Sequence, residues 1–304
     1  MGRGRRSKFL RIRKRRTGWR IAIHTPLNLG LGELSMKIKH MAMICAAGFM
    51  AAQPAFAHRM WMLPSTFTLS GDDQWITVDG AISNDLFFPN HHALDYRNVQ
   101  IYTPSGEAES VEDGWRGRYR TAFDVHLTEQ GTYRIAEEGS AWMAFYEEDG
   151  ERRRQRGSLE ELQEAGFFDN PAAEVFHSRR NVETYVTLGA LSTTAFAQTG
   201  EGLEFRPVTH PNDVYAGEEA RFAFTLGGEP AAGLEVEIVK GNDRYRDDPG
   251  TITAETDENG EFSFTPEDAG RYWISTSIRG EGEHNGHAIG VGHSYVVTLE
   301  ALWL

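Results

Sequence analysis

Hydrophobic residues recur at every second position along much of this chain, and that period dictates extended strands with one buried face. In "QWITVDGAIS" (74–83), Ile76, Val78 and Ile82 share a face. In "YRTAFDVHL" (119–127), Tyr119, Thr121, Phe123, Val125 and Leu127 lie on one face, with Arg120, Asp124 and His126 on the other. "ARFAFTL", "LEVEIVK", "EFSFTP", "RYWISTSI" and "HSYVVTL" repeat the alternation between breaks rich in Gly, Pro and Asp. Short alternating strands at this spacing predict an all-β chain of immunoglobulin-like or transthyretin-like β-sandwiches.

A weak internal repeat points to two such units. "FDVHLTEQGTYRI" and "FSFTPEDAGRYWI" place Phe123, Gly131, Tyr133 and Ile135 at the same offsets as Phe262, Gly270, Tyr272 and Ile274. A strand, a glycine turn and a returning strand with a buried aromatic give that pattern, and chance likeness between two hairpins is the alternative. Between the copies, "ERRRQRGSLEELQEAGFFDNPAAEVFHSRR" (151–180) loses the alternation. Within it, "SLEELQEAG" predicts one short connecting helix, with Ser158 as N-cap, Glu161 three residues on and Gly166 as stop. "ETYVTLGAL" (183–191) is a strand again. The predicted organisation is a leader over 1–57, a first sandwich over 58–192, a linker over 193–202 and a second sandwich over 203–304.

The leader has the parts of a secretory signal. In "MKIKHMAMICAAGFMAAQPAFA" (36–57), Lys37 and Lys39 supply the positive start, 41–52 a short apolar core, and Ala55-Phe56-Ala57 the cleavage site. The apolar run falls short of the roughly 20 residues that span a bilayer, so no stable membrane insertion is expected after cleavage. A buried core helix is the bland alternative. Ile44 before Cys45 is too large for a lipoprotein signal. Residues 1–35 fit no signal type and read as a start placed too early, with Met36 the true start. Cleavage is expected to release the chain into the periplasm.

Removing 1–57 changes the electrostatics. The leader holds twelve of the 31 Lys and Arg but one of the 44 acids, which leaves a net charge of −24 with His neutral. A chain of that sign repels phosphate backbones and attracts cations, so nucleic acid is excluded as a partner. Solvation of a secreted protein accounts for most of the carboxylates. The one cysteine, Cys45, leaves with the leader. Any metal must then be held by nitrogen, oxygen or methionine sulfur.

Cleavage after Ala57 makes His58 the first residue. Its imidazole and its freed α-amine can chelate one divalent ion, and a further His completes a nitrogen site suited to copper, nickel or cobalt. The alternative is a solvated terminal histidine. A second cluster, "SNDLFFPNHHALD", carries Asn84, Asp85, His91, His92 and Asp95 in a loop at one end of the first sandwich. Adjacent histidines on extended backbone point apart, so one of His91 and His92 is expected to face the site. Asp85 can ligate, orient a histidine or cap the turn. A third cluster, "EGEHNGHAIGVGH", carries His284, His287 and His293 beside Glu281 and Glu283. Its glycines predict a mobile loop in which His284 and His287 chelate together, or simply lie exposed. In "VTHPND" (208–213), His210 precedes Pro211, and Pro-Asn-Asp reads as a structural boundary. His126 and His177 read as isolated surface histidines. No nucleophile elbow, phosphate loop or H-E-x-x-H helix occurs.

The stretches "SNDLF", "THPND" and "YAGE" carry a resemblance. With the sequence around them, over nearly all of 58–304, the chain resembles a domain-of-unknown-function family of bacterial periplasmic proteins. Members of that family are described as periplasmic components of cobalt or nickel uptake systems. The resemblance implies a ligand histidine directly after the signal peptide, here His58, and one in the "SNDLF…H" loop, here His91 or His92. It implies nothing for the "HNGH" tract.

The expected function is therefore a non-enzymatic periplasmic protein that captures Ni²⁺ or Co²⁺, with Cu²⁺ also suited, for a membrane uptake system. The candidate ligands are His58, His91, His92 and Asp85, with His284 and His287 apart. One alternative is a copper-dependent oxidative enzyme, since a terminal-His copper site on a β-sandwich is similar to that of lytic polysaccharide monooxygenases. It requires a flat aromatic surface beside the metal, which Trp61 or Trp75 could supply, although the core is their commoner home. The other is a metal-free interaction module of the envelope.

Overall fold

The computed structural model describes residues 58–304, and the secretory leader and cleavage site expected from the sequence lie outside the described residues. The chain is mostly β. Among the described residues the strands form three sheets. A five-stranded sheet runs in the order Arg59–Pro64, Gln74–Ser83, Thr121–Leu127, Gly114–Arg116, with His92–Ala93 also paired to Gln74–Ser83. A four-stranded sheet combines Leu203–Pro207, Ala220–Leu226, Glu229–Pro230 and Glu261–Phe264. Between them an eleven-stranded sheet takes strands from both halves of the chain. At its centre Glu174–Leu188 pairs antiparallel with Gly131–Glu148 and parallel with His287–Leu302.

Successive side chains of a strand point to opposite faces, and the long sheet uses both faces. On Glu174–Leu188, Val182, Val186 and Leu188 enter the core beneath the five-stranded sheet. Tyr185, between them, enters the core beneath the four-stranded sheet. The two outer sheets therefore lie on opposite sides of one shared sheet. Residues from the second half, Val239, Trp273 and Val296, complete the first core. Because both faces are covered, the run from Val182 to Leu188 is buried throughout, the polar Glu183, Thr184 and Thr187 included.

The sequence repeat has a physical basis. The strand Thr121–Leu127 belongs to the five-stranded sheet, whereas Gly131–Glu148, which follows it, belongs to the long sheet. Glu261–Phe264 and Gly270–His284 make the same crossing from the four-stranded sheet. Neither pair is the hairpin that the spacing suggests. At each crossing the tyrosine hydroxyl donates back to a backbone carbonyl, Tyr133 to Glu129 at 3.2 Å and Tyr272 to Asp268 at 2.8 Å. This is the tyrosine-corner geometry of immunoglobulin-type sandwiches. The glycines before them take positive φ, 136° at Gly131 and 143° at Gly270, where a side chain would be strained.

The helix Leu159–Glu164 forms with the expected reciprocal capping between Ser158 and Glu161, and Gly166 follows at φ 75°. It buries Leu162 in a small third core with Ala144, Phe167, Val175, Ile289 and Val291. Two strands escape the alternation argument. Glu151–Gly157, "ERRRQRG", is almost wholly exposed and so has no apolar face to betray it. Glu174–Leu188 begins well before Glu183 because its outer portion is polar. No helix among the described residues is long and apolar enough to cross a membrane.

Candidate metal centre

The strand Arg59–Pro64 pairs antiparallel with Gln74–Ser83, and Arg59 lies opposite Ser83. His58 therefore stands beside the start of the 84–91 loop. The same strand receives the end of that loop, since His92 pairs with Ile82. Register alone thus brings three histidines to one sheet end. The His58 and His91 rings stack with centroids 3.6 Å apart and planes at 2°. His92 lies against His91 at 4.2 Å, tilted by 57°. Both members of the His91-His92 pair belong to the cluster, so the expectation that one would point away is corrected: His91 stacks on His58, and His92 packs on His91.

Loss of solvent, followed by the neighbouring His58 and His92 rings, holds the His91 pKa below the ordinary imidazole value. A neutral ring keeps a lone pair free for an ion. Asp85 shapes the loop: its Oδ2 accepts from Asn90 Nδ2 at 2.6 Å, and Asn90 Oδ1 accepts from the Asn84 amide at 2.9 Å. Ser83 accepts the Trp61 indole N–H at 2.7 Å and donates to the Asp85 carbonyl at 2.6 Å. The "SNDLF" motif is the hydrogen-bonded frame of the histidine loop. Among the described residues, no three His, Cys, Asp or Glu side chains form a set able to hold an ion unaided. Chelation here would require a further donor, such as the α-amine that cleavage after Ala57 would free on His58, and rotation of the stacked rings to aim two nitrogens at one point.

The second half of the chain supplies the neighbouring wall. Gly241 packs so closely on the Phe87 ring that a Cβ there would sit 2.9 Å from it. Phe87 itself has φ 60° and Asn242 φ 66°, both rare for residues with side chains. The Arg244 guanidinium lies over the Phe88 ring at 3.7 Å. Phe88 is 41% and Tyr245 89% exposed, so an aromatic and cationic patch joins the histidine-bearing loop to the turn of the second half.

The third cluster is elsewhere and is built differently. Residues 281–293 form no mobile loop: Gly270–His284 and His287–Leu302 are a continuous hairpin whose turn is Asn285-Gly286, at φ 50° and 87°. An Asn-Gly pair between strands is the strongest short hairpin signal. His284 meets the Trp142 edge at 5.2 Å and His287 the Phe168 ring at 5.7 Å. His284 lies eleven residues along its strand from Trp273, which contacts Met60 beside the first cluster. At the strand rise His284 is on the order of 35 Å from Trp273 itself, and the ring contacts of His284 and His287 are to Trp142 and Phe168 rather than to His58, His91 or His92.

His177 is not an isolated surface residue. It stacks on Trp142 at 4.2 Å and pairs with Ser140 at 2.9 Å. Burial, then Arg179, His293 and His284, lower its pKa to about 4. His126 also has partners, Trp75 stacked at 4.1 Å and Asp73 at 2.6 Å. Trp61 is core, but Trp75 is 61% exposed. It stands eight residues down its strand from Ser83, about 25 Å from the histidines, and cannot form a surface beside them.

The "THPND" motif is a structural knot. Buried Asn212 donates to the Tyr185 carbonyl at 3.0 Å and accepts from Thr187 at 3.0 Å, while His210 bonds Thr132 at 3.0 Å. A cleft of about 540 Å³ is lined by Tyr102, Arg134, Arg179, Phe196 and His293, and His58, His91 and His92 are not part of its lining.

A family model described as DUF4198, a domain of unknown function, matches residues 55–280. No curated protein matches the chain. Among solved structures, the D0-D1 domain of Intimin is 12% identical, with 79% of this chain and 97% of that chain covered at a TM-score of 0.20. A DUF4785 family protein from Legionella pneumophila is 7% identical over 71% of this chain and 50% of its own, at 0.22. The FN1-FN3 domains of chicken CNTN1 are 7% identical over 80% and 99%, at 0.19. Superpositions this loose carry no functional weight.

Proposed function

The chain belongs to the DUF4198 family, and we propose that its mature form is a periplasmic, non-enzymatic carrier of a divalent transition ion, nickel or cobalt, for a membrane uptake system. On this reading two immunoglobulin-like sandwiches, fused through a shared sheet, are the scaffold and the ion is cargo. The observation that carries the proposal is the 3.6 Å stack of His58 on His91, two residues distant in sequence that strand register joins at the chain's processed end.

The chemistry follows from the donors. Amine and imidazole of His58 close one chelate ring, and His91 adds a third nitrogen from a rigid loop. Nitrogen donors suit nickel, cobalt and copper over magnesium or calcium. Copper binds such sets most tightly in solution, so metal supply in the envelope selects the cargo. The mature net charge of −24 raises the local concentration of cations. Intact mass of the secreted protein should begin at His58. Adding one Gly before His58 moves the amine off the chelating residue, and Ni²⁺ affinity by calorimetry should fall at least about tenfold. Unchanged affinity removes the site.

One observation favours a second reading. Phe88, on the loop that leads to His91, forms with Arg244 and Tyr245 an exposed aromatic and cationic patch, and a copper-dependent oxidative enzyme would need an exposed aromatic surface beside its terminal histidine. Copper-dependent peroxide consumption on a polysaccharide would select that reading over carriage.

A further inference from the structure

We propose that Asp243, from the second half of the chain, is the positioning residue of the His58 cluster, holding both segments that carry its imidazoles. The functional meaning of that role rests on the metal-carrier reading; the geometric role stands apart from it. The Asp243 carboxylate is 6% exposed. Its Oδ2 accepts from Arg59 Nη1 at 2.6 Å, and its Oδ1 accepts from the Leu86 amide at 3.0 Å. Arg59 directly follows His58. Leu86 lies in the loop that leads to His91. One carboxylate therefore fixes the chain on both sides of the ring stack, from 184 residues away in sequence.

The clamp is itself braced. The Arg59 guanidinium lies 5.6 Å from the centre of the Trp273 ring, and the Trp273 indole donates to the Met60 carbonyl at 2.8 Å. On the other side, the close approach of Gly241 to Phe87 and the left-handed Asn242 set the turn that aims Asp243 inward. A terminal residue next to the last pair of an edge strand frays unless something holds it. A chelate that must first be ordered loses affinity by the cost of that ordering. The clamp removes this cost before an ion arrives.

The bland alternative is an ordinary buried ion pair. Such pairs add little net stability over an apolar replacement, yet breaking one leaves a costly lone charge. The alternative predicts lower stability with no specific effect on the rings. Asp243→Asn keeps an acceptor for Leu86 and removes the charge opposite Arg59; Arg59→Gln removes the pair from the other side. Both are to be made in the secreted chain beside Asp268→Asn, which breaks the exposed Lys240–Asp268 pair as a control.

In metal-free protein, the NMR proton contact between the His58 and His91 rings should be present in the wild type and the control. It should be lost in both clamp variants. Ni²⁺ affinity should fall about tenfold in each variant, and no further in the double variant, because the two changes break one link. Ring contact and affinity within twofold of wild type in the clamp variants overturn the proposal, as does a wild type without the contact. Should Asp243→Asn not fold, Arg59→Gln decides by the same readings. A contact that depends on Asp243 in a protein that binds no Ni²⁺, Co²⁺ or Cu²⁺ sinks the carrier reading and leaves the clamp standing.

Discussion

The two histidine-rich regions of this molecule invert what their sequences suggest. His284 and His287 are three residues apart in a glycine-rich tract, which reads as a metal loop. They instead flank a two-residue turn, and each ring meets an aromatic side chain, Trp142 or Phe168. His58 and His91 are far apart in sequence, yet their rings stack. Proximity along the chain is a poor guide in a β fold, because register sets which side chains meet. Cleavage after Ala57, on the proposed reading, would add an amine to the first cluster and none to the second.

The comparison breaks most readily at the ligands. His58→Ala should lower Ni²⁺ affinity by about a hundredfold, with a smaller loss, about tenfold, for His91→Ala. His284→Ala and His287→Ala should each stay within about twofold of wild type. Calorimetry on the four variants checks the order, and equal losses at both ends would erase the distinction drawn here.

What the sequence made legible follows the same line. The strands of the outer sheets have one wet face and so advertise themselves by alternation, as Thr121–Leu127 does. The capping box at Ser158 and Glu161 is local chemistry and equally readable. The shared sheet was legible in part: Glu235–Lys240 and the inner portions of Gly270–His284 and His287–Leu302 alternate, and Glu183–Leu188 read as a strand. Glu151–Gly157, by contrast, is exposed and hid, and nothing local marks that both halves of the chain share one sheet. Tyr133 and Tyr272 showed as a repeat, but their spacing could not tell a hairpin from a crossing between sheets. At the site, His58, His91 and His92 were visible as chemistry. Asp243 was not, since "GNDRYRDD" reads as a polar turn and nothing local links it to Arg59.

A second contrast concerns protons. The His177 ring of the far region, lowered to about 4 chiefly by burial, is neutral in the folded chain where an unfolded imidazole takes a proton near 6.5. The unfolded state thus binds more protons between those values, so the stabilising contribution of a neutral His177 is complete above pH 6.5 and is lost as pH falls toward 4. Its ring is partly exposed, so the effect should be modest, about 1 kcal/mol, or roughly 2–4 °C in melting temperature. His177→Phe keeps the stack on Trp142 and should flatten the melting profile over that window. A profile as steep as wild type would mean that His293 or another group carries the titration.

The smallest expected effect tests whether the far hairpin is scaffold alone. Gly286 sits at φ 87° in the turn, and a Cβ there would meet open space, with no atom within 4 Å. Gly286→Ala therefore adds no clash and charges only the backbone strain of a side chain in the left-handed region, about 1 kcal/mol. Denaturant unfolding should register that loss. Ni²⁺ affinity should not change, because the strain is released at a strand end remote from His58 and no ligand moves. If affinity fell with stability, the hairpin would be coupled to the first cluster through the shared sheet, and the two regions would have to be treated as one.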